Sequence, residues 1–422
     1  MRLARTIAGA TLTAACLMTP AATRADVVLD WNAVMTATVA GQNAFNEARI
    51  ATITQLAVFE AVNAVTGKYE PYLGTVVAPR GASREAAAIV AAHDVLVHYL
   101  PTSAATVTPA RDAALALIPD GPSKEDGIAV GADAAAAMIA DREGDGSSPP
   151  QFYPPAPAAP GVWQATPSCT AAGGVLLHVG NVTPFGLESG DQFRADPPPA
   201  LTSFRYARDY FVVKKLGRID SPYRPQDRSD VARFYGLVLG VQTWNPAVRQ
   251  VAADEGKSLT YNARAFALLN MAIVDGLIAV MDTKYQETFW RPETAIRGGG
   301  TDGNRLTVAD PAWTPFITVP CHPSYPSAHA VLAGGAREIA ERLFGKSGHS
   351  IVLSSASVPG IVLHYTRFKD IARDIDEARV YGGVHYRFDQ EVGGRMGEKV
   401  GRHLYHHHLR PEHGTKRRTR KS

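Results

Sequence analysis

The sequence predicts an all-α protein, and three observations support that prediction. Apolar residues recur at the three- and four-residue spacing of helices in many stretches of the chain. Clusters of proline and glycine separate these stretches, as helix-ending signals do. No segment shows the sustained alternation of apolar and polar residues that is typical of a half-buried strand.

The alanine-rich first part of the chain predicts four helices. In the first of them, Ala51, Ile53 and Phe59 belong to an apolar pattern with helical spacing, and Gly67 is a natural stop. Short connections between successive helices are typical of a bundle, so we expect residues 26–146 to form an N-terminal helical bundle. The predicted helices span residues 43–65, 84–99, 103–117 and 124–142.

Residues 147–200 are rich in proline and glycine and predict a long irregular crossing segment. Its aromatic residues, among them Trp163, Phe185 and Phe193, argue against a free linker. We therefore expect this segment to pack over the surface of the domain.

Helical spacing resumes in residues 201–405, which predict a C-terminal helical bundle. The His-rich and basic tail, residues 406–422, is predicted to be a frayed, disordered and solvated end rather than a metal or anion site. The predicted helices span residues 203–216, 229–239, 261–281, 327–344 and 390–405.

Residues 1–25 have the features of a secretory signal peptide. Arg2 and Arg5 precede an apolar run, and small residues lead to a predicted cleavage after Ala25. We therefore expect a secreted or periplasmic protein. No other run approaches the roughly 20 apolar residues that a membrane span needs, so no span is expected in the mature chain.

Composition limits the classes of partner. With 422 residues, the chain can build one or two cores. A net charge of +3 is too small to indicate a nucleic-acid binder, and composition leaves oligomerisation open.

Removal of the signal peptide takes Cys16 with it and leaves Cys169 and Cys321, which can form a disulfide in an exported protein.

Three short patterns in the C-terminal half supply the groups that a site for a tetrahedral oxyanion requires. They contribute three permanent cations, a hydroxyl, two imidazoles and a carboxylate, which can hold such an anion and exchange protons with it. In chain order, the patterns are Lys284-x6-Arg291-Pro292, Pro326-Ser327-Ala328-His329 and Arg379-x5-His385-x3-Asp389.

The first pattern predicts two cations on one helical face, because seven residues span about two helical turns. Lys284 would contribute a point charge and Arg291 a planar fork that suits the edge of an oxyanion, and Pro292 would end the run. Taken alone, such a pair is also typical of a solvated helix face.

The second pattern predicts a helix that starts at Ser327, because an apolar run with helical spacing follows it. The serine hydroxyl and the first free amides of that helix could bind an anion, although an ordinary N-cap serine is the alternative. His329 lies in the same turn and could protonate a departing oxygen.

The third pattern places His385 and Asp389 four residues apart, as neighbours on one helical face. Asp389 could hold one ring nitrogen of His385 and aim the other at the bound anion. Arg379 adds the third cation. A histidine–aspartate contact that only stabilises a helix is the alternative interpretation.

Together and in this order, the patterns resemble the signature of the phosphatidic acid phosphatase type 2 and vanadium haloperoxidase superfamily, which reads K-x6-RP, PSGH, SR-x5-H-x3-D. The chain is most similar to the secreted bacterial branch of haloperoxidase-like proteins. The resemblance implies an all-α fold built on two four-helix bundles. Weaker likeness extends upstream through Asp30-Trp31-Asn32, Val58-Phe59-Glu60-Ala61-Val62-Asn63, Pro160-Gly161-Val162-Trp163 and Asp196-Pro197-Pro198-Pro199.

The resemblance also implies a role for each matching residue. His385 would be the axial vanadium ligand, or the nucleophile in a phosphatase, with Asp389 orienting it. His329 would be the acid–base residue, and Lys284 would also assist the chemistry. The oxygens of the anion would be held by Lys284, Arg291, Ser327, the amide of Ala328 and Arg379.

This chain departs from the family pattern at three positions. Ala328 replaces a glycine, and Ala378 replaces the serine before Arg379. Met281 stands where haloperoxidases generally carry a tryptophan, which weakens the prediction of halide oxidation more than that of vanadate binding. Conversely, His322 falls where bromoperoxidase-type members have a histidine, so it is a candidate halide-site residue. The alternative is an ordinary loop histidine.

Three functions follow from this interpretation. The first is a vanadium-dependent haloperoxidase-like enzyme whose cofactor is vanadate and whose partners are hydrogen peroxide, a halide and a small organic acceptor. The second is a periplasmic acid phosphatase, which needs no vanadate and hydrolyses a phosphomonoester through a phosphohistidine at His385. The third, an exported binder of phosphate or vanadate, has little use for the acid–base residue His329.

Overall fold

The computed structural model describes residues 26–169, 173–238 and 240–412. Helices dominate these ranges and confirm the all-α prediction. The two strands described, β1 (Ile351–Ser354) and β2 (Val362–Tyr365), form an antiparallel hairpin. Each strand has only four residues, which is too short for an alternating pattern to stand out in the sequence. The hairpin was therefore not predicted. The predicted signal peptide, residues 1–25, lies outside the described residues.

The N-terminal helices pack around α2 and α3. An additional helix, α1, was not predicted; Asp26 caps it by accepting a hydrogen bond from the amide of Val28. Glycine lets α5 approach α3, because a Cβ at Gly131 would lie 2.5 Å from the carbonyl oxygen of Ala87. The helices are α1 (Val27–Val39), α2 (Ala44–Thr66), α3 (Arg84–Tyr99), α4 (Ala104–Ala116) and α5 (Pro122–Asp141).

The C-terminal helices surround α9, which contacts α2 of the N-terminal group as well as α11 and α13. One hydrophobic core therefore continues through both groups. Three of these helices, α8, α10 and α12, were not predicted. The helices are α6 (Phe204–Leu216), α7 (Gln226–Leu237), α8 (Gly240–Asp254), α9 (Leu259–Glu287), α10 (Pro292–Arg297), α11 (Ala328–Phe344), α12 (Phe368–Tyr381) and α13 (Arg387–His407).

Helix α9 corrects the expectation that no segment after residue 25 has the length and apolarity of a membrane span. An 18-residue window of this 29-residue helix has a mean hydropathy of 1.8, and 94% of that window is buried inside the protein. Burial on all sides explains the composition, because a helix at the centre of a core has no solvent-facing stripe. No other helix among the described residues passes this test.

The irregular segment, residues 147–200, packs against the helices. The side chains of Trp163 and Phe185 are buried. The carboxylate of Asp275, inside α9, accepts hydrogen bonds from the amides of Phe185, Gly186 and Leu187 at 2.7, 2.8 and 3.1 Å. These bonds satisfy backbone groups that an irregular buried segment would otherwise leave unpaired.

The start of the tail differs from its prediction as a solvated end. Helix α13 continues to His407, and the side chain of Leu409 is buried. Pro411 forms a bridge with Tyr69, and the Glu412 amide donates to the carbonyl of Lys68. Burial of Leu409 holds this end against the N-terminal group, whereas residues 413–422 lie outside the described residues.

Candidate functional site

The three sequence patterns converge at the ends of four helices. Lys284 lies in the last turn of α9, Ser327 is the N-cap of α11, Arg379 lies in the last turn of α12, and Asp389 is in the first turn of α13. All four side chains are buried. Helix ends leave free backbone amides and carbonyls beside these side chains, which makes the region polar although it is buried.

The prediction that Lys284 and Arg291 share one helical face is wrong. Helix α9 ends at Glu287, and Thr288 turns the chain with a φ of 47°. Arg291 is the N-cap of α10, and Pro292 begins that helix rather than ending one. Proline favours this first position because it lacks an amide hydrogen and has a fixed φ. The two cations reach the same site from successive helices.

His385 and Asp389 are in contact as predicted, although His385 lies before α13 rather than on it. The Nδ1 of His385 lies 2.7 Å from Oδ2 of Asp389. The same Oδ2 accepts hydrogen bonds from the Ser324 hydroxyl at 2.7 Å and the Tyr386 amide at 3.2 Å. These contacts fix the carboxylate, and the carboxylate fixes the imidazole ring.

Arg291 determines which nitrogen of His385 carries the proton. Its Nη1 lies 3.0 Å from Nε2 of His385, and a guanidinium can only donate. Nε2 is therefore the acceptor, and the proton resides on Nδ1, where Asp389 accepts it. This tautomer keeps a lone pair on Nε2, the atom that a vanadium or phosphorus centre would need.

Carbonyls of the loop before α11 hold two of the cations. Lys284 donates from Nζ to the carbonyls of Pro323 and Ser324, both at 2.7 Å. Arg291 donates from Nε to the carbonyl of His322 at 2.8 Å. Three consecutive carbonyls of residues 322–324 therefore set the positions of both cations.

A disulfide anchors this loop. Cys169 and Cys321 are bonded, with Cα atoms 5.2 Å apart, and join the irregular segment to the residue that precedes His322. The sequence left this bridge open; the structure shows it. Because Cys321 directly precedes the carbonyls that hold Lys284 and Arg291, the bridge restricts the part of the chain that positions both cations.

We expect reduction of this disulfide to weaken the site more than the fold. Cys321→Ser should lower affinity for a tetrahedral oxyanion by about 10-fold or more, because residues 322–324 gain freedom. Isothermal titration of the variant with tungstate measures this. Cys169→Ser must show the same loss, and unchanged affinity in both variants would contradict the expectation.

Arg379 and His329 each carry a buried ring or guanidinium nitrogen without a partner among the described residues, and Arg379 is held by a backbone carbonyl that gave no signal in the sequence. Arg379 donates from Nη1 to the carbonyl of Tyr235 at 3.2 Å. The Nε2 of His329 and the Nε of Arg379 have no partner among the described residues. Both atoms are therefore available to a bound anion.

Burial and mutual repulsion perturb the cations strongly. The pKa of Lys284 falls well below its usual value because of burial and then the charge of Arg291. Burial lowers the pKa of Arg291 to about 9 and that of Arg379 to about 10. Burial also raises the pKa of Asp389 to about 6. Three cations face one carboxylate, so an anion would relieve the repulsion.

The remaining predicted residues border the same region. The Ser327 hydroxyl caps α11 through the amide of Ala330, at a long 3.5 Å. Ala328 takes the first helical position, where an amide has no helical partner. Met281 and His322 line an apolar cavity of about 80 Å³ that also reaches Ala328 and His329.

His322 contacts the cationic site through its ring. Its Nδ1 lies 3.1 Å from Nη2 of Arg291, which must be the donor. Burial, followed by the charges of Lys284 and Arg291, lowers the pKa of His322 well below its usual value. His322 is therefore neutral at pH 7, and it is one of the residues that line the cavity.

Anion binding at this site should be accompanied by proton uptake near pH 7. In the free protein, burial and then neighbouring cations hold the pKa values of His329 and His385 well below their usual range. A bound dianion favours the protonated form of His329, so the pKa of His329 rises and a proton is taken up, whereas Nε2 of His385 stays unprotonated to contact the anion.

Tungstate suits this measurement because it does not titrate near neutral pH. Binding enthalpies in buffers of different ionisation enthalpy give the number of protons taken up. His329→Gln should reduce that number. Proton release on binding, or no exchange at all, would contradict this electrostatic description.

The fold and this buried cationic site define a helical-bundle protein of the type that the sequence indicated. Residues 264–414 match the family model described as the VCPO second helical-bundle domain. No curated protein sequence shows significant similarity to the chain. This matched range contains all three sequence patterns, so it supports the resemblance to the vanadium haloperoxidase and phosphatidic acid phosphatase type 2 superfamily.

Solved structures of bacterial proteins share the fold over nearly the whole chain. The first bacterial vanadium-dependent iodoperoxidase is 23% identical, with a TM-score of 0.77 over 92% of this chain and 97% of that one. An apo-type bacterial vanadium-dependent chloroperoxidase is 18% identical, with a TM-score of 0.71 over 86% and 94%. A holo-type chloroperoxidase is 19% identical, with a TM-score of 0.67 over 90% and 92%.

Proposed function

We propose that this protein is a vanadium-dependent haloperoxidase-like enzyme that oxidises a halide with hydrogen peroxide at a histidine-bound vanadate. The observation that carries the proposal is the orientation of His385. Asp389 holds the proton on Nδ1, and Arg291 contacts Nε2 among three buried cations. A helix-stabilising histidine has no need of such an environment.

The residues present fit vanadate. Arg379 and His329 each carry a buried nitrogen with no partner among the described residues, and Lys284, Arg291 and Arg379 are opposed by one carboxylate. We assign the oxygens of vanadate to these cations, to Ser327 and to the amide of Ala328. Vanadate, when bound, supplies a Lewis-acidic centre that activates hydrogen peroxide toward attack by a halide.

The protein's own groups then perform three tasks. His385 provides the lone pair of Nε2, which Asp389 keeps available through the proton on Nδ1. Lys284 and Arg291 stabilise negative charge in a site that excludes water. His329 exchanges a proton through Nε2, the nitrogen that no described residue contacts.

The cavity beside His329 is the proposed route for peroxide and halide. Most of its lining is apolar, including Trp244, Leu277 and Leu332. His322 and Met281 lie in its wall, and we place the halide beside them. The small organic acceptor is the partner that consumes the oxidised halogen.

Phosphate has the shape and charge of vanadate, so an acid phosphatase could use the same residues. In that case His385 would attack phosphorus through Nε2, and His329 would protonate the leaving alcohol. No observation in this structure favours phosphate over vanadate. The test of the proposal must therefore assay both activities.

The test compares protein freed of bound anions before and after addition of orthovanadate. We expect halogenation of a phenol dye that requires vanadate, peroxide and bromide or iodide together. Hydrolysis of an aryl phosphate that vanadate suppresses would replace the haloperoxidase assignment with the phosphatase. Tight vanadate binding without turnover of either substrate would leave only a binding protein.

We also propose that the protein is exported. The signal-like residues 1–25 support this, and so does the bridge between Cys169 and Cys321, since such bridges persist in oxidising compartments. N-terminal sequencing of the protein from the periplasm or medium should begin at Asp26. A full-length cytoplasmic product would contradict the proposal.

A further inference from the structure

Ser324 uses each of its polar groups to connect parts of the cationic site. Its amide donates to the carbonyl of Phe289 at 2.8 Å, in the short segment between α9 and α10. Its carbonyl accepts from Nζ of Lys284 at 2.7 Å, and its hydroxyl donates to Oδ2 of Asp389 at 2.7 Å. The residue is fully buried, so each of these groups depends on its protein partner.

These contacts place Ser324 between two of the sequence patterns, although it belongs to none of them. Its backbone is bonded to the segment that carries Lys284, in the first pattern. Its side chain is bonded to Asp389, in the third pattern. The residue therefore joins a buried cation to the carboxylate that orients His385.

One oxygen of Asp389 receives all the contacts that orient this carboxylate. Oδ2 accepts from the Ser324 hydroxyl, from Nδ1 of His385 at 2.7 Å and from the Tyr386 amide at 3.2 Å. Oδ1 has no hydrogen-bond partner among the described residues. The ring and the amide lie within four residues of Asp389 in the chain, whereas Ser324 is 65 residues away. Among these three donors, Ser324 is the one that fixes the pair relative to another part of the site.

Arg291 also contacts the His385 ring, but at the atom that the central atom of an anion would take. Its Nη1 lies 3.0 Å from Nε2 of His385. A neutral imidazole has one lone pair, on the nitrogen without a proton, so a bound centre would displace this contact. Ser324 acts through Asp389 and Nδ1 instead, and its contact can persist when the anion is bound.

We propose that Ser324 is a positioning residue that holds the His385–Asp389 pair in a fixed position relative to Lys284 while the anion occupies Nε2 of His385. The hydroxyl fixes the carboxylate, the carboxylate fixes the ring, and the backbone of the same residue fixes the cation. The inference rests on the proposed role of His385 as the ligand of the anion.

Ser324→Ala removes the hydroxyl and leaves the backbone contacts with Lys284 and Phe289. We expect the affinity for tungstate to fall by about 10-fold, and kcat for halogenation by a similar factor, as for other partners that orient a ligating histidine. Because the effect passes through the imidazole ring, it should vanish in a protein that already lacks the ring. In a His385→Ala background, Ser324→Ala should therefore change tungstate affinity by less than about 2-fold. Calorimetric titration of the four proteins measures this.

The matched control is Ser229→Ala. Ser229 is also buried, and its hydroxyl donates to the carbonyl of Pro225 at 3.2 Å at the start of α7. This variant should leave tungstate affinity unchanged. If Ser324→Ala fails to fold, Ser324→Gly removes the same hydroxyl and serves in its place. Equal losses of affinity with and without His385, or no loss in the folded single variant, would overturn the inference.

The binding measurement also separates this inference from the proposed function. Tungstate binding needs no turnover, so the comparison remains decisive in a protein that shows no halogenation. A loss of affinity that depends on the His385 ring, without any haloperoxidase activity, would uphold the positioning role and reject the reaction. Vanadate-dependent halogenation by the unsubstituted protein together with equal losses in both backgrounds would do the reverse.

Discussion

Replacing His385 with alanine is expected to abolish halogenation, with a loss of more than about 1000-fold in kcat, as for removal of a central catalytic group. The substitution removes Nε2, the atom that would bind the anion's central atom. Lys284, Arg291 and Arg379 remain, so tungstate should still bind, although more weakly. Steady-state halogenation with saturating orthovanadate and calorimetric binding of tungstate measure the two effects separately.

Asp389→Asn is the companion variant to His385→Ala. Its amide can donate as well as accept, so it no longer fixes the proton on Nδ1 of His385. We expect a smaller loss, about 10- to 100-fold in activity or vanadate affinity. Activity of His385→Ala close to that of the unsubstituted protein would exclude His385 as the ligand.

Replacing His329 with glutamine is expected to lower kcat by about 100- to 10,000-fold, the range that general acid–base groups contribute. Glutamine is of similar size and polar, but it cannot exchange a proton as Nε2 of the imidazole can. Affinity for orthovanadate should change far less than kcat. Vanadium NMR titration and steady-state kinetics on the same preparation make the comparison.

His178→Gln provides the matched control for His329→Gln. His178 is also buried and accepts a hydrogen bond from the amide of Gln151 at 3.2 Å, but it is not among the site residues described above. Glutamine can replace that acceptor, so kcat should be unchanged. Equal losses in the two variants would show that the effect of His329→Gln is structural.

The sequence predicted which residues come together in this region because its patterns fall at helix ends. A charged or hydroxyl residue at a helix terminus has limited positions to occupy, so Ser327, Arg379 and Asp389 were predictable in kind and location. The relative position of Lys284 and Arg291, on two successive helices, was not predictable. Their spacing fits two turns of one helix, but Thr288 ends α9 and the chain starts a second helix.

Two contributors to the site gave no usable signal in the sequence. Tyr235 acts through a backbone carbonyl, which every residue type possesses, so side-chain chemistry could not identify it. Ser324 donates to Asp389, yet a serine after a proline is common in loops. The only available signal was its position, because Ser324 is a hydroxyl residue a few positions before Ser327.

The sequence predicted the helices in which the apolar spacing is strong. It missed helices in which only one face is buried or a proline interrupts the pattern. Helix α12 carries many charged residues and buries one face through Phe368, Ile371 and Ile375, so its apolar pattern is diluted. Helix α8 contains Pro246, which argues against a helix in sequence analysis. The long helix α9 was evident because apolar residues recur through most of its length.

A crystal structure of the protein soaked with orthovanadate tests the central assignment most directly. We expect anomalous density for vanadium at bonding distance from Nε2 of His385, with its oxygens contacting Lys284, Arg291 and Arg379. Vanadium at another place in the protein, or an empty site at saturating vanadate, would contradict the proposal that these residues form the catalytic centre.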